Sequence, residues 1–209
     1  MKKFISLFVI VFTCLHIHAQ VLDINLYKNQ IDAKAKTLCK YIEKVGTSSS
    51  LPGGVSSQDK DYIIQNKVPQ LFWNYRIDPR YMKTTNGVNG SVVRKRPMNI
   101  YFSNLKRQSE SSLTKKVMYD LRYEGIVNDS KTKGLSYEKT LSDGSKLYYA
   151  VIRIKQTYHQ VTLSGKDIKC TSIEKTEADV KEYKVYVIVK PNNKVGIFLG
   201  DVCRAYRVN

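Results

Sequence analysis

Histidine is scarce in this sequence, and its scarcity removes several kinds of chemistry. The chain has three histidines, and His16 and His18 lie in an N-terminal segment that export would remove. Only His159 would then remain. Because imidazole is the commonest general base and metal ligand near neutral pH, one histidine excludes multi-histidine zinc or iron sites and disfavours acid–base catalysis. The sequence therefore predicts no metal site and no catalytic residue.

The familiar catalytic and nucleotide-binding motifs are missing as well. The chain has no phosphate-binding glycine loop, no Gly-x-Ser-x-Gly turn and no Cys-x-x-Cys pair, which disfavours nucleotide-binding, hydrolase and thioredoxin-like classes. No cofactor is predicted. Three cysteines, Cys39, Cys170 and Cys203, follow the N-terminal segment, so one must stay unpaired. We predict a possible disulfide between Cys170 and Cys203; the alternative is that all three are buried thiols.

Long hydrophobic runs are absent apart from one short run at the N-terminus. Lys2 and Lys3 precede an apolar stretch over residues 4–15, and Ala19 follows. This layout is typical of a secretory signal peptide and is too short for a membrane span. We predict cleavage after Ala19 and export to the periplasm or the extracellular space. Lipid attachment at Cys14 is the alternative, which the lack of a small residue before it disfavours.

Acidic residues are few, and the excess of positive charge is local. The chain has 35 Lys and Arg against 18 Asp and Glu, a net charge of +17. Between residues 80 and 116 Glu110 is the only acid, which predicts a surface for an anionic partner. The alternative is a basic protein kept soluble by its charge. The predicted contacts are Arg94, Lys95, Arg96, Lys106 and Arg107, together with Tyr101.

The hydrophobic pattern indicates one α+β domain over residues 20–209. Apolar residues recur every three or four positions over 22–45, and a second short helix is predicted from about residue 58 to 67. From residue 92 the period changes to two, with Asp143 and Gly144 marking a hairpin. We predict two N-terminal helices, over about 22–68, packed on a curved antiparallel sheet over about 92–208. The alternative is a mostly-β barrel or sandwich with a helical extension.

These features favour a binding protein over an enzyme. The predicted function is an exported, non-catalytic binding or assembly protein that recognises an acidic protein or an anionic polymer of the cell envelope. The alternative is a small-molecule pocket or a minor enzyme site between helix and sheet, which a tyrosine-lined pocket facing His159 would favour. The oligomeric state and the identity of any ligand stay open.

Overall fold

The structure is a computed structural model that describes residues 22–73, 81–85, 93–111, 115–127, 135–164 and 169–208. Only the backbone is described for 81–85, 93–97, 163–164, 169–172, 174–175 and 203–208. The predicted signal peptide lies outside the described residues. The fold is an α+β arrangement of helices on a curled antiparallel sheet, as the sequence predicts.

The N-terminal helices form where the apolar spacing predicts them. A 3₁₀ turn, Ile24–Leu26, leads into helix α1, Lys28–Gly46, whose buried residues recur at steps of three and four. Helix α2, Ser57–Tyr62, begins after Ser56, whose side chain accepts a hydrogen bond from the Asp59 amide. It continues through a π-helical turn, Ile63–Lys67, into a 3₁₀ turn, Val68–Gln70. The buried residues of α1 are Ile31, Ala35, Leu38, Cys39, Ile42, Val45 and Gly46.

A third helix replaces part of a predicted strand. The alternation from residue 92 predicts a strand that continues to Phe102, but the strand ends at Pro97 and helix α3, Met98–Glu110, follows directly. The strand-like spacing of two positions fits Met98, Ile100 and Phe102 only by coincidence. The residues that α3 buries have helical spacing instead, and they are Met98, Tyr101, Phe102, Leu105 and Ser109.

Within the described residues, seven strands form two antiparallel sheets. In the larger sheet the order is β3-β5-β6-β7, with β4 beside the first residues of β5. Strand β5 is therefore central, as its two apolar faces predict. The sequence pattern predicts a weak strand over residues 167–174 and a separate, clear strand over 183–189, but the structure has one continuous strand, β6. The bounds are β1 Tyr81–Thr85, β2 Val93–Pro97, β3 Lys115–Ile126, β4 Ser136–Thr140, β5 Lys146–Ser164, β6 Lys169–Val189 and β7 Val195–Val208.

Helix α1 covers the free edge of β3. The opposite edge of β3 pairs with β5. Every second amide of β3 points away from β5 and therefore needs another acceptor. Side chains from the end of α1 and the residues after it supply them, which closes an edge that would otherwise be open to other strands. The pairs are Val117 N to Ser48 Oγ (3.0 Å), Tyr119 N to Thr47 Oγ1 (3.1 Å) and Leu121 N to Glu43 Oε1 (2.8 Å).

A buried lysine joins the three helices beneath this edge. Lys60 of α2 is fully buried, and its ammonium donates to the Thr47 carbonyl (2.8 Å) and to Ser109 Oγ of α3 (2.6 Å). Ser109 Oγ in turn donates to the Val45 carbonyl at the end of α1 (3.1 Å). Burial lowers the pKa of Lys60, an effect that the nearby charge of Glu110 opposes. A buried polar group is stable only when it is hydrogen-bonded, and this network meets that requirement.

Candidate functional site

The predicted basic residues of β2 lie in a two-stranded hairpin with β1. Its register places Lys95 directly opposite Lys83, so two like charges occupy one cross-strand pair. Arg94 and Arg96 flank Lys95, and their side chains are outside the described residues. Like charges in direct register are unfavourable in a hairpin; the side chains of Lys83 and Lys95 are also outside the described residues. Strand β1 also lies against β7, the last strand of the main sheet.

The other predicted contacts differ in their surroundings. Lys106 forms an ion pair with Asp61, with Nζ and Oδ1 2.7 Å apart, so part of its charge is neutralised. Arg107 is exposed and donates to Asn104 Oδ1 at 3.1 Å. Tyr101 is only 8% exposed, because it faces the core from α3. The predicted role of Tyr101 as a surface aromatic therefore does not fit its position.

The cysteines show no paired arrangement in the described structure. The side chains of Cys170 and Cys203 are outside the described residues, so their disulfide stays a prediction. The backbone register does not bring them together: Cys170 pairs with Leu163 near one end of β6, while Cys203 lies beside the partners of Glu182 and Tyr183. Cys39 is free and buried. Burial raises the pKa of the Cys39 thiol to about 12, so this thiol is not a nucleophile near neutral pH.

A basic groove runs between α1, the turn at residues 67–71 and the start of β7. We define the basic groove by Lys34 and Lys67 together with the apolar Leu71, Ile197 and Phe198; its volume is about 580 Å³. No aspartate or glutamate lines it. The groove therefore combines an apolar floor with positive charge.

The two lysines of the basic groove have no carboxylate partner among the described residues. Lys34 Nζ donates to the Gln70 carbonyl at 3.3 Å and lies 5.8 Å from the centre of the Phe198 ring. Lys67 Nζ lies 5.4 Å from the centre of the Tyr62 ring. Within the part of the chain that the structure describes, neither ammonium forms a salt bridge. Partial burial lowers the pKa of Lys34, so a bound anion would stabilise its charged form.

Backbone groups of the first residues of β7 point away from β6 beside these lysines. The Leu199 amide donates to the Leu71 carbonyl (2.7 Å), and the Leu199 carbonyl accepts from the Trp73 amide (3.0 Å), so both groups point away from β6. Because backbone direction alternates along a strand, the amides and carbonyls of Ile197 and Val195 point the same way. The described residues supply no backbone partner for these four groups. They form a short edge, in which Val195 is 37% exposed and Ile197 is 6% exposed.

Sequence reasoning missed the basic groove because its parts are distant in the chain. Lys34 lies off the apolar stripe of α1, where a lysine is ordinarily a solvated surface charge. Ile197 and Phe198 lie in the last strand, and only the folded structure brings them beside α1. The one available signal was the set of five lysines on the polar side of the α1 segment, with few acids among them.

The remaining features are the possible metal ligands, His159 and the character of the helices in the described ranges. There, no three side chains of His, Cys, Asp or Glu are grouped as metal ligands. His159 Nδ1 lies 3.0 Å from Thr176 Oγ1, and His159 lines neither the basic groove nor the cleft described below. Of the helices in the described ranges, none has the length and apolar character needed to cross a membrane.

Comparisons with known proteins do not assign the chain to a family. No known protein family matches the chain, and no curated protein or solved structure is significantly similar to it. Function must therefore be argued from the geometry alone.

Proposed function

We propose that this is an exported, non-catalytic binding protein that takes an extended acidic segment of a partner protein into the basic groove. The observation that carries the proposal is a pair of lysines, Lys34 and Lys67, that no described carboxylate pairs with and that lie beside the outward backbone groups of β7. An extended peptide pairs with such an edge through its backbone, and its side chains then give specificity.

The segment would bind as an added strand. Its backbone would pair with the outward amides and carbonyls of Val195 and Ile197. Its apolar side chains would pack on Leu71 and Phe198, and its carboxylates would reach Lys34 and Lys67. An acidic sequence is favoured because the lining has two positive charges and no negative ones.

The β1–β2 hairpin is a second contact for the same partner. It lies against β7, as the basic groove does, and its register concentrates positive charge in Lys83, Arg94, Lys95 and Arg96. Long-range attraction by this hairpin, with Lys106 and Arg107 nearby in the sequence, would raise the association rate more than the final affinity. The hairpin therefore attracts the partner from a distance, and the basic groove binds it.

Charge reversal in the basic groove tests this proposal. The probe is a fluorescein-labelled peptide of alternating glutamate and valine, and the readout is its fluorescence anisotropy. The double variant Lys34→Glu, Lys67→Glu is expected to weaken binding at least about tenfold, because two attractive contacts become repulsive. The matched control is Lys36→Glu, Lys40→Glu, which makes the same charge change on exposed positions of α1. It should weaken binding by less than about threefold, through screened long-range effects.

Three outcomes would contradict the assignment. Equal weakening by both double variants would mean that only net charge matters. A larger loss on reversing Arg94, Lys95 and Arg96 than on reversing the two lysines of the basic groove would place the site on the hairpin. Retention on heparin that is insensitive to the variants in the basic groove, without peptide binding, would favour an anionic polymer.

Export is part of the proposal and has its own test. Removal of residues 1–19 would leave Gln20 as the first residue of the mature chain. Mass spectrometry of the protein from its native cell is expected to show this N-terminus in the envelope or secreted fraction. An intact N-terminus beginning at Met1, with the protein confined to the cytoplasm, would contradict export.

A further inference from the structure

A polar cleft opens between α3 and strands β3, β5 and β6, on a different part of the protein from the basic groove. We define the polar cleft by Tyr119, Gln156, Tyr158, Glu177 and Asp179; its volume is about 300 Å³. That volume is at the lower end of the range for small-molecule sites, about 300–1,000 Å³. The residues that line it come from β3, β5 and β6, with Gln108 of α3 completing the wall.

Two buried side chains beneath the polar cleft fix the orientation of the Gln156 amide. Gln156 Oε1 lies 3.0 Å from Lys181 Nζ and 3.0 Å from Tyr101 Oη. An ammonium only donates hydrogen bonds, so the amide atom that faces Lys181 must be the oxygen. The Gln156 side-chain nitrogen is then left on the side of the polar cleft. No described residue accepts a hydrogen bond from it, although the residue as a whole is only 7% exposed.

The buried lysine that fixes this orientation keeps its charge near neutral pH. Lys181 is 6% exposed and lies 5.0 Å from the centre of the Tyr101 ring. Burial lowers the pKa of Lys181 to about 8, and the negative charge of Asp179 opposes this shift. Burial also raises the pKa of Tyr101, so its hydroxyl stays protonated and donates. The floor of the polar cleft is therefore preorganised.

The walls supply acceptors and aromatic faces. Glu177 and Asp179 are half-buried and follow one another on the same side of β6, where the residue between them points away. Tyr119 and Tyr158 pack edge to face, with ring centres 5.5 Å apart and planes at 70°. The polar cleft thus offers one fixed amide donor, the Asp179 carboxylate as an acceptor, and aromatic surface.

This combination selects a particular ligand chemistry. A carboxylate ligand would meet two carboxylates and be repelled. An amine would pair with Asp179 but leave the Gln156 amide without an acceptor. A hydroxyl group both donates and accepts, and the C–H faces of a sugar ring pack on tyrosine rings. We propose that the polar cleft binds a small polyhydroxylated compound, of the size of a monosaccharide.

Gln156→Glu tests the donor directly. The change is isosteric and keeps an oxygen for Lys181 and Tyr101, but it replaces the donating NH2 of the polar cleft by an acceptor. The probes are glucose, xylose and myo-inositol, and the readout is the saturable shift of backbone amide signals in ¹⁵N-labelled protein. At least one probe is expected to shift signals of residues 156–160 and 177–179. Gln156→Glu should then weaken that binding about tenfold, the effect of losing one hydrogen bond and adding a repulsive acceptor.

Controls separate loss of the donor from loss of structure. Gln58→Glu makes the same chemical change at an exposed position and should leave polyol binding unchanged. The melting temperature of Gln156→Glu should not fall, because the new carboxylate faces an ammonium. If that variant does not fold, Asp179→Ala takes its place and should weaken binding by a similar factor. Absence of a saturable shift with all three probes, or unchanged affinity in Gln156→Glu, would overturn the inference.

Discussion

Replacing Phe102 by alanine is expected to lower the free energy of unfolding by about 4 kcal/mol, whereas Ile100→Ala should lower it by less than about 0.5 kcal/mol. Phe102 is fully buried, and Ile100 is 46% exposed. The difference follows from α3, which separates two residues that are two positions apart by more than half a helical turn. In a strand the same two side chains would share one face and have similar burial.

Urea unfolding of the two variants measures this difference, with the wild-type protein as reference. Ile100→Ala is the matched control for Phe102→Ala, because both changes remove apolar atoms from nearby positions of one segment. Similar losses of stability in the two variants would contradict the helix and restore the strand that the alternating pattern predicts.

Replacing Lys60 by alanine is expected to lower the free energy of unfolding by about 3 kcal/mol. Truncation leaves a cavity and removes the donor for both the Thr47 carbonyl and Ser109 Oγ, which join α2 to the end of α1 and to α3. Each buried polar group left without a partner costs about 1–3 kcal/mol. Lys36→Ala, on the exposed side of α1, should change stability by less than about 0.5 kcal/mol.

Lys60→Met separates packing from hydrogen bonding at the same position. Methionine fills most of the lysine volume and removes the cost of a buried charge, but it donates no hydrogen bond. We expect this variant to lie between the wild type and Lys60→Ala in urea unfolding. A stability of Lys60→Ala equal to that of the wild type would show that the network does not hold the helices together.

Periodicity predicted the elements that bury one continuous face. The stripe Ile31, Ala35, Leu38 and Ile42 is fully buried in α1, as its spacing predicts. The turn at Asp143 and Gly144 joins β4 to β5, because Gly144 adopts a positive φ of 77° that few other residues tolerate. In both cases local sequence determines local structure, so no tertiary information is needed.

Periodicity failed where two periods fit the same residues. Met98, Ile100 and Phe102 alternate, but Met98, Tyr101, Phe102 and Leu105 also have helical spacing, and burial decides between them. The polar middle of β6 caused the other error, because a long strand with few apolar residues resembles two short strands and a loop. The length of β6 is set by its pairing with β5. A local sequence pattern holds no information about that pairing.

Neither proposed site was predictable residue by residue. The predicted basic residues cluster in sequence, whereas the basic groove joins α1, the turn at 67–71 and β7. The polar cleft depends on the buried contact between Gln156 and Lys181, two polar residues with no motif around them. Their chemical roles follow from hydrogen-bond geometry and burial, which only the folded chain defines.

The central claim, that β7 offers its edge to an acidic strand, is tested most directly by amide hydrogen exchange at Val195 and Ile197. Exchange is compared with and without the glutamate–valine peptide, and an alternating lysine–valine peptide is the control. The account predicts that the acidic peptide slows exchange of these two amides and that the basic peptide does not. Binding of the acidic peptide with exchange at Val195 and Ile197 unchanged would contradict it.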